Sequence, residues 1–152
     1  DFKEEFVGET FGRINKAEAD LLLSELKIYI NRIGGSRILE EKIDFGIISP
    51  YKAQVQYLRN KIKADASLKP YRSLFTVNTV DGFQGQERDV IFISLVRANE
   101  EGQIGFLNDL RRMNVAITRA RMKLVILGEA ETLKHHGFYR KLLEFIQNIG
   151  NQ

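Results

Sequence analysis

The sequence is poor in the residues that build metal centres, disulfides and many catalytic triads. It has no cysteine and only two histidines, the adjacent His135 and His136. These counts exclude a disulfide scaffold, a thiolate zinc site and a cysteine nucleophile, and they leave little for a histidine metal cluster or a Ser-His-Asp triad. The missing cysteine fits a reducing compartment, so we expect an intracellular, cytoplasmic protein.

Long apolar runs are missing as well. No apolar stretch approaches the length that crosses a bilayer, so the sequence predicts no membrane span and no membrane partner. The opening residues have neither the basic start nor the apolar stretch of a signal peptide, and they do not begin with methionine. We therefore expect this chain to be cut from a longer protein.

The composition that remains is that of one globular domain. The chain has 152 residues, of which 43% are hydrophobic and 28% charged, and one domain usually takes about 100–200 residues. The net charge of +3 permits contact with nucleic acid without arguing for it. The bases are unevenly spread, because residues 111–123 hold five bases and no acid. Such a cluster needs an anionic partner or free solvent.

Hydrophobic periodicity alternates between helical and strand patterns along the chain. Residues 1–14 look like an irregular lead-in, and Asn15 is expected to cap a helix ending at Gly34, with Glu18 placed to close a capping box. The alternation predicts an α/β fold with a mainly parallel sheet. The other predicted elements are a charged loop at 36–42, a strand at 45–48, a helix from 51 to about 66, strands at 74–77 and 90–96, a helix at 109–120, a strand at 123–127 and a final helix.

In parallel α/β sheets, ligands bind outside the carboxyl ends of the strands, so we expect the chemistry just after the predicted strands. The first candidate segment is 46–54, where a strand end runs into a helix start whose free N–H groups can hold a phosphate. The alternative for this segment is a plain strand–helix turn with Tyr51 packed in the core.

The second candidate segment, residues 79–89, places two glycines, two glutamines and four charged residues between two apolar strands. Gly82 and Gly85 let the backbone turn or approach a ligand closely. Glutamine and glutamate side chains can bond ribose hydroxyls or position a water molecule. A metal-dependent nuclease is an alternative, although no lysine or histidine accompanies its acids at close spacing. Those acids are Asp81, Glu87 and Asp89.

The third candidate segment, 114–121, is expected on the helix before the last strand. Asn114, Thr118 and Arg121 would share one side of that helix, and Arg119 would lie near its end. A solvated Arg119 would at most interact with the helix carboxyl terminus. An Arg119 aimed at a ligand would bond a phosphate with its planar fork. Composition alone favours neither a solvated Arg119 nor a phosphate-binding Arg119.

Taken in order, the three segments resemble the later motifs of superfamily 1 helicases. The closest likeness is to the branch that contains the nonsense-mediated-decay RNA helicase and the senataxin-type helicases. The likeness runs from about residue 10 to residue 130. The matching stretches are 46–54 with the motif IV region, 79–89 with motif V in the form T-V-D-x-F-Q-G-x-E-x-D, and 111–120 with motif VI in the form R-R-x-N-V-A-x-T-R-A.

This resemblance implies a three-layer RecA-like domain with a mainly parallel sheet and helices on both faces, formed by residues 15–152. In that family two lobes sandwich one ATP and together grip single-stranded DNA or RNA. The chain has no G-x-x-x-x-G-K-[ST] phosphate loop and no Asp-Glu pair after a strand. The family places both in the first lobe. The implied partners are therefore the N-terminal lobe, which would hold the Mg²⁺ of the ATP complex, and single-stranded nucleic acid.

The resemblance also implies roles for individual residues at the ATP site. Arg119 would be the arginine finger on the γ-phosphate. Glu87 would bond the nucleotide ribose, and Gly85 would give backbone access. Gln84 would bind the nucleotide and help to couple it to the nucleic-acid path.

A second group of residues is implied to contact nucleic acid. Thr79 would contact a nucleic-acid phosphate, and Asp81 would couple this contact to the nucleotide. Arg111 and Arg112 would make phosphate or interlobe contacts.

The sequence thus predicts the C-terminal motor lobe of an ATP-dependent superfamily 1 helicase, inactive by itself. By family likeness the whole enzyme would move along single strands from 5′ to 3′. The alternative is a non-catalytic nucleic-acid-binding or interaction domain that kept the helicase fold and lost the ATPase. A phosphate loop upstream in the full-length gene would support the enzyme.

Overall fold

A four-stranded parallel sheet forms the centre of the domain. The protein is described by a computed structural model, in which residues 5–6, 13–83, 85–96 and 117–127 are described. The strands are β1 (Glu5–Phe6), β2 (Arg13–Ile14), β3 (Phe45–Ser49), β4 (Phe75–Thr79), β5 (Arg88–Ser94) and β6 (Ala120–Leu127). The helices are α1 (Lys16–Ile33), α2 (Gly35–Glu41) and α3 (Lys52–Ala64), with 3-10 helices at Ala66–Leu74 and Asp81–Phe83.

The strand order in the sheet is β4-β3-β5-β6, and every neighbouring pair is parallel. This confirms the α/β class and the parallel sheet predicted from the alternating periodicity. β1 and β2 form a separate antiparallel pair, so the lead-in predicted as irregular contains two short strands. Parallel neighbours place all four amino ends at one edge of the sheet and all four carboxyl ends at the other.

Helices α1 and α3 cover one face of the sheet. Alternate residues of the central strands, such as Phe45 and Ile47 on β3, share a buried core with Leu22 and Leu26 of α1 and Leu58 of α3. Burying each such side chain stabilises the fold by about 1.5–3 kcal/mol. The opposite face carries the connection between β4 and β5. Two further predicted helices, at 109–120 and near the end of the chain, lie almost entirely outside the described residues.

The ends of α1 follow the sequence prediction. The Asn15 side chain accepts a hydrogen bond from the Glu18 amide at 2.9 Å, as an N-cap residue should. The helix ends at Gly34, whose φ of 98° lies in the region that favours glycine. Within the described ranges, none of the helices has the length and apolar character needed to cross a membrane.

Two local predictions were wrong. Residues 36–42 were expected as a charged loop, but Gly35–Glu41 is helix α2, which buries Ile38 completely. The helix expected to run through Ala120 ends earlier, because β6 already begins at Ala120. Arg121 is therefore a strand residue, and it shares no helix face with Asn114 and Thr118.

Candidate functional site

Three of the four residues implied to hold nucleotide lie beside the amino ends of β5 and β6. Glu87 directly precedes β5 and Arg119 directly precedes β6. Gly85 lies two residues before Glu87, with a φ of +77° and open space where a side chain would stand. The sequence had placed the chemistry at the carboxyl ends of the strands, and for these residues that expectation was wrong.

Arg119 is bonded to the residues on both sides of Glu87. Its backbone carbonyl accepts a hydrogen bond from the Arg88 amide at 2.9 Å. Its guanidinium donates to the Gln86 carbonyl at 3.3 Å and to the Thr118 hydroxyl at 3.2 Å. The half-buried Arg119 and the exposed Glu87 are thereby brought to one place, although they are 32 positions apart in the sequence.

The connection that carries Glu87 crosses the second face of the sheet. Phe83, which is fully buried, lies over Gly46 of β3. A side chain at Gly46 would stand 2.9 Å from the Phe83 ring and 2.6 Å from Ile91. The Arg88 guanidinium lies 5.6 Å from the centre of the Phe83 ring and donates to the Thr76 hydroxyl at 3.2 Å. Close packing thus fixes the path of residues 80–83 and 85–87 across the sheet.

The turn before Glu87 is held by its own hydrogen bonds. The Phe83 amide donates to the Val80 carbonyl at 3.1 Å, and the Gln86 amide donates to the Phe83 carbonyl at 2.9 Å. The Gln86 side chain donates to the Gly82 carbonyl at 3.0 Å. A side chain at position 82 would stand 2.2 Å from the Asn78 amide, so Asn78 would have to move to admit one.

An ion cluster that the sequence did not suggest lies at the same edge of the sheet. Arg121 donates to Asp89 at 3.0 Å and to Asp44 at 3.1 Å. Burial opposes ionisation of Asp89, but hydrogen bonds from the Asp44 backbone and from Arg121 outweigh it and lower the pKa of Asp89. The Asp89 carboxylate in turn raises the pKa of Arg121. The alternation of apolar and basic residues at 120–124 was the signal that could have placed Arg121 on a strand.

Residues implied to contact nucleic acid lie at the other end of the sheet. Thr79 is the last residue of β4, and the exposed Asp81 begins the 3-10 helix that follows. They adjoin the end of β3 at Ser49, which pairs with Thr79. Ser49 is followed by the half-buried Tyr51 and the exposed Lys52 at the start of α3.

A buried polar network joins the starts of α1 and α3 to the end of β5. Gln54 donates to the Asn15 carbonyl and to the Ser94 hydroxyl, each at 3.1 Å. Ser94 donates to the Glu18 carboxylate at 2.6 Å, and the Val96 amide donates to the same oxygen at 3.0 Å. A capping box would need the Asn15 backbone amide to donate to the Glu18 carboxylate. This amide donates instead to the Gln54 side-chain oxygen at 3.0 Å, so Glu18 does not close the predicted capping box.

Burial raises the pKa of Glu18 to about 7, although hydrogen bonds from Ser94, Val96 and Leu95 oppose the shift. The Asn15 side chain also donates to the Val96 carbonyl at 3.3 Å. Val96 has a φ of 72°, which is a strained conformation for a β-branched residue. The network thus holds the chain in this conformation where it leaves β5.

The AAA domain family matches residues 2–131. The chain belongs to the AAA domain family. The resemblance to superfamily 1 helicases of the nonsense-mediated-decay and senataxin type is likewise confirmed by the relatives of this AAA domain.

Three of these relatives cover nearly the whole of the domain. "Probable helicase MAGATAMA 3" of Arabidopsis thaliana is 41% identical over 90% of the chain, and "Helicase sen1" of Schizosaccharomyces pombe is 37% identical over 93%. "Regulator of nonsense transcripts 1 homolog" of Drosophila melanogaster is 36% identical over 96%. The AAA domain spans 16%, 8% and 12% of the lengths of these three proteins.

The nuclease alternative finds no support in the geometry of the AAA domain. Asp89 is engaged by Arg121 and by the Asp44 amide. Asp81 and Glu87 lie at the two ends of a connection that crosses the sheet. In the part of the chain that the structure describes, no three histidine, aspartate or glutamate side chains gather as metal ligands would.

Three of the implied site residues have no described position in the AAA domain. Gln84, Arg111 and Arg112 lie outside the described residues. Their implied roles stay predictions, as does the expectation that the basic segment 111–123 meets an anionic partner or free solvent.

Proposed function

We propose that this chain is the C-terminal RecA-like lobe of an ATP-dependent superfamily 1 helicase. In this proposal it completes an ATP site whose phosphate loop lies in a second lobe, and it contacts single-stranded nucleic acid. The observation that carries the proposal is the pair of bonds from Arg119 to the residues on either side of Glu87. They hold Arg119 against the backbone on both sides of Glu87, beside the amino ends of β5 and β6.

The residues present fit part of a nucleotide. The open space beside Gly85 leaves its backbone accessible to a ligand. The exposed Glu87 carboxylate is an acceptor suited to ribose hydroxyls, and the Arg119 guanidinium suits a phosphate oxygen. ATP would supply the phosphoryl group that is transferred to water, and the other lobe would hold Mg²⁺ and most phosphate contacts.

The proposed task of Arg119 is electrostatic. Phosphoryl transfer needs little covalent chemistry from the protein and depends on positive charge placed where negative charge develops. A guanidinium tethered to the backbone at Gln86 meets this need, because little reorganisation is required during the reaction. Closure of the two lobes would bring Arg119 to the nucleotide only when ATP is bound.

The proposed nucleic-acid contacts at Thr79 and Asp81 lie at the opposite edge of the sheet from Arg119. A strand of five residues is about 16 Å long at roughly 3.3 Å per residue. Residues 80–87 connect the two edges and are packed onto Gly46 through Phe83. We infer that this connection couples nucleotide binding to nucleic-acid binding. From family likeness, we also propose that the whole protein acts inside the cell and moves along single strands from 5′ to 3′.

The experiment is the substitution Arg119→Ala in the two-lobed protein. We expect ATP turnover to fall by roughly 10³-fold or more, the range seen for arginine fingers. ATP binding should fall much less, because the finger acts on transition-state charge. Arg119→Lys should restore little, because an ammonium keeps the charge and loses the planar fork.

The matched control is Arg37→Gln. Arg37 is an exposed arginine on α2 that pairs with Glu41 at 2.6 Å and has no proposed role in the ATP site. We expect wild-type turnover from this control, and a melting temperature for Arg119→Ala close to that of the control. Wild-type turnover in folded Arg119→Ala would reject the proposal and would favour the non-catalytic binding domain.

A further inference from the structure

Asp44, Asp89 and Arg121 tie together the amino ends of three strands. Asp44 directly precedes β3, Asp89 is the second residue of β5, and Arg121 is the second residue of β6. The two aspartates exchange bonds through their backbones: the Asp44 amide donates to the Asp89 carboxylate at 3.1 Å, and the Asp89 amide donates to the Asp44 carboxylate at 2.7 Å. Arg121 bridges both carboxylates.

The cluster coincides with an irregularity in the pairing of β5 and β6. Arg88 pairs with Ala120, whereas Val90 pairs with Lys123. Between these two pairs β5 advances by two residues and β6 by three, and Arg121 lies in the longer segment of β6. Bulges of this kind re-aim neighbouring side chains, and they weaken the ladder locally. A contact outside the backbone hydrogen bonds between β5 and β6 is then needed to fix the position of β6.

Stability alone does not explain these ion pairs. The Arg121 side chain is 44% exposed, and its partners Asp44 and Asp89 are 31% and 20% exposed. Ion pairs this exposed contribute little to stability, because water and salt screen them. The geometry is nevertheless specific, since one planar guanidinium contacts two carboxylates that also cap each other's backbone.

Arg121 lies two residues after Arg119, and the two arginines hold β6 to consecutive residues of β5. The Arg119 carbonyl is bonded to Arg88, and the Arg121 side chain is bonded to Asp89. We propose that Arg121 is a positioning residue for Arg119, because its bridge to Asp44 and Asp89 fixes the start of β6 and so the direction of the Arg119 side chain. This inference rests on the proposed function of Arg119.

The test is steady-state ATP hydrolysis by the two-lobed protein carrying Arg121→Gln, Arg121→Lys or the control Arg37→Gln. Misplacement of a catalytic group by about 1 Å costs up to roughly 100-fold in rate. We expect kcat to fall by about 10- to 100-fold in Arg121→Gln, with the KM for ATP changed by less than about threefold. Arg121→Lys should lie between Arg121→Gln and wild type, because one ammonium keeps the charge but cannot bridge both carboxylates in one plane.

A double-mutant cycle separates positioning from a general loss of structure. If Arg121 acts through Arg119, then Arg121→Gln should lower kcat by less than about twofold in an Arg119→Ala background. The melting temperature of Arg121→Gln should match that of Arg37→Gln, since both variants remove one exposed ion-paired arginine.

Three results would overturn the inference while leaving the proposed function intact, provided that Arg119→Ala is impaired. They are wild-type kcat in Arg121→Gln, losses that add fully in the double variant, and failure of Arg121→Gln to fold. The last result would make the cluster a structural one. Wild-type turnover in Arg119→Ala would instead reject the proposed function, and the inference with it.

Discussion

The Ser94 hydroxyl donates a hydrogen bond of 2.6 Å to the Glu18 carboxylate, across 76 positions of sequence. Both side chains are fully buried. Among the described residues, the second carboxylate oxygen of Glu18 is buried without a hydrogen-bond partner. Burying an ionised carboxylate that is only partly bonded costs free energy, so the carboxyl holds its proton to a higher pH than usual.

The stability of the domain should therefore depend on pH through Glu18. Its folded pKa of about 7 lies above the ordinary value of 4.5, so the folded state binds more protons than the unfolded state between these values. The free energy of unfolding should fall as pH rises from 4.5 through 7, by at most roughly 3 kcal/mol from this group. Glu18→Gln should remove this fall. Urea denaturation of the chain at several pH values between 4.5 and 8 measures it.

The control for this experiment is Glu25→Gln, which changes an exposed carboxylate on the same helix. It should leave the pH dependence of wild type in place. An equal pH dependence in wild type and Glu18→Gln would show that the Glu18 carboxyl titrates near its ordinary value.

Gly46→Ala should destabilise the domain through the connection that carries Glu87. The new Cβ would stand 2.9 Å from the Phe83 ring and 2.6 Å from Ile91, closer than packed atoms allow. Overpacking of this kind costs about 1–3 kcal/mol, which urea denaturation can resolve. In a Phe83→Leu background, Gly46→Ala should cost less free energy of unfolding than in the wild-type protein, because the close contact with the Phe83 ring is gone.

Gly85→Ala is the comparison for Gly46→Ala. Among the described residues its Cβ would meet no atom within 4 Å, but the φ of +77° would strain any residue with a side chain. The cost of about 1–2 kcal/mol should arise from the backbone alone. The cost of Gly85→Ala should therefore be the same in the wild-type and Phe83→Leu backgrounds. The packing explanation would be contradicted if Phe83→Leu reduced the cost of Gly85→Ala as much as it reduces that of Gly46→Ala.

The isolated 152-residue chain should fold without hydrolysing ATP. Its buried core joins α1 and α3 to the sheet, whereas its sequence contains no phosphate loop. A cooperative urea transition together with no nucleic-acid-stimulated phosphate release is the expected result. Arg119→Ala serves as the contamination control. Turnover that the wild-type fragment has and this variant lacks would contradict the division of the ATP site between two lobes.

Single-strand binding by the isolated chain should be weak and should decrease steeply with salt, because this lobe supplies only part of the backbone grip. Fluorescence anisotropy with a labelled oligonucleotide at 50 and 200 mM salt measures both properties. Thr79→Val should weaken binding by about 2- to 10-fold, the typical net contribution of one hydrogen bond. Ser24→Ala, which removes an exposed hydroxyl from α1, is the control. Tight, salt-insensitive binding would favour a dedicated binding module.

Local patterns in the sequence were sufficient for α1, for the central strands and for the fold class. The stripe at Leu22, Leu26 and Ile30 predicted α1, and the apolar runs at 45–48 and 90–96 predicted the central strands found at Phe45–Ser49 and Arg88–Ser94. These predictions succeeded because each element buries its own apolar residues at a period fixed by backbone geometry. The residue types of motifs V and VI likewise named Glu87 and Arg119, and the resemblance supplied their roles.

Only the tertiary structure decided which edge of the sheet holds these residues. Arg119 reaches Gln86, Arg121 reaches Asp44, and Glu18 reaches Ser94, over separations of 33, 77 and 76 positions. No local periodicity encodes such contacts, because they depend on strand order and on the path of residues 80–87 across the sheet. The sequence by itself determined which side chains this domain carries. The parallel pairing of β5 with β6 decided that Glu87 and Arg119 directly precede neighbouring strands at the amino end of the sheet.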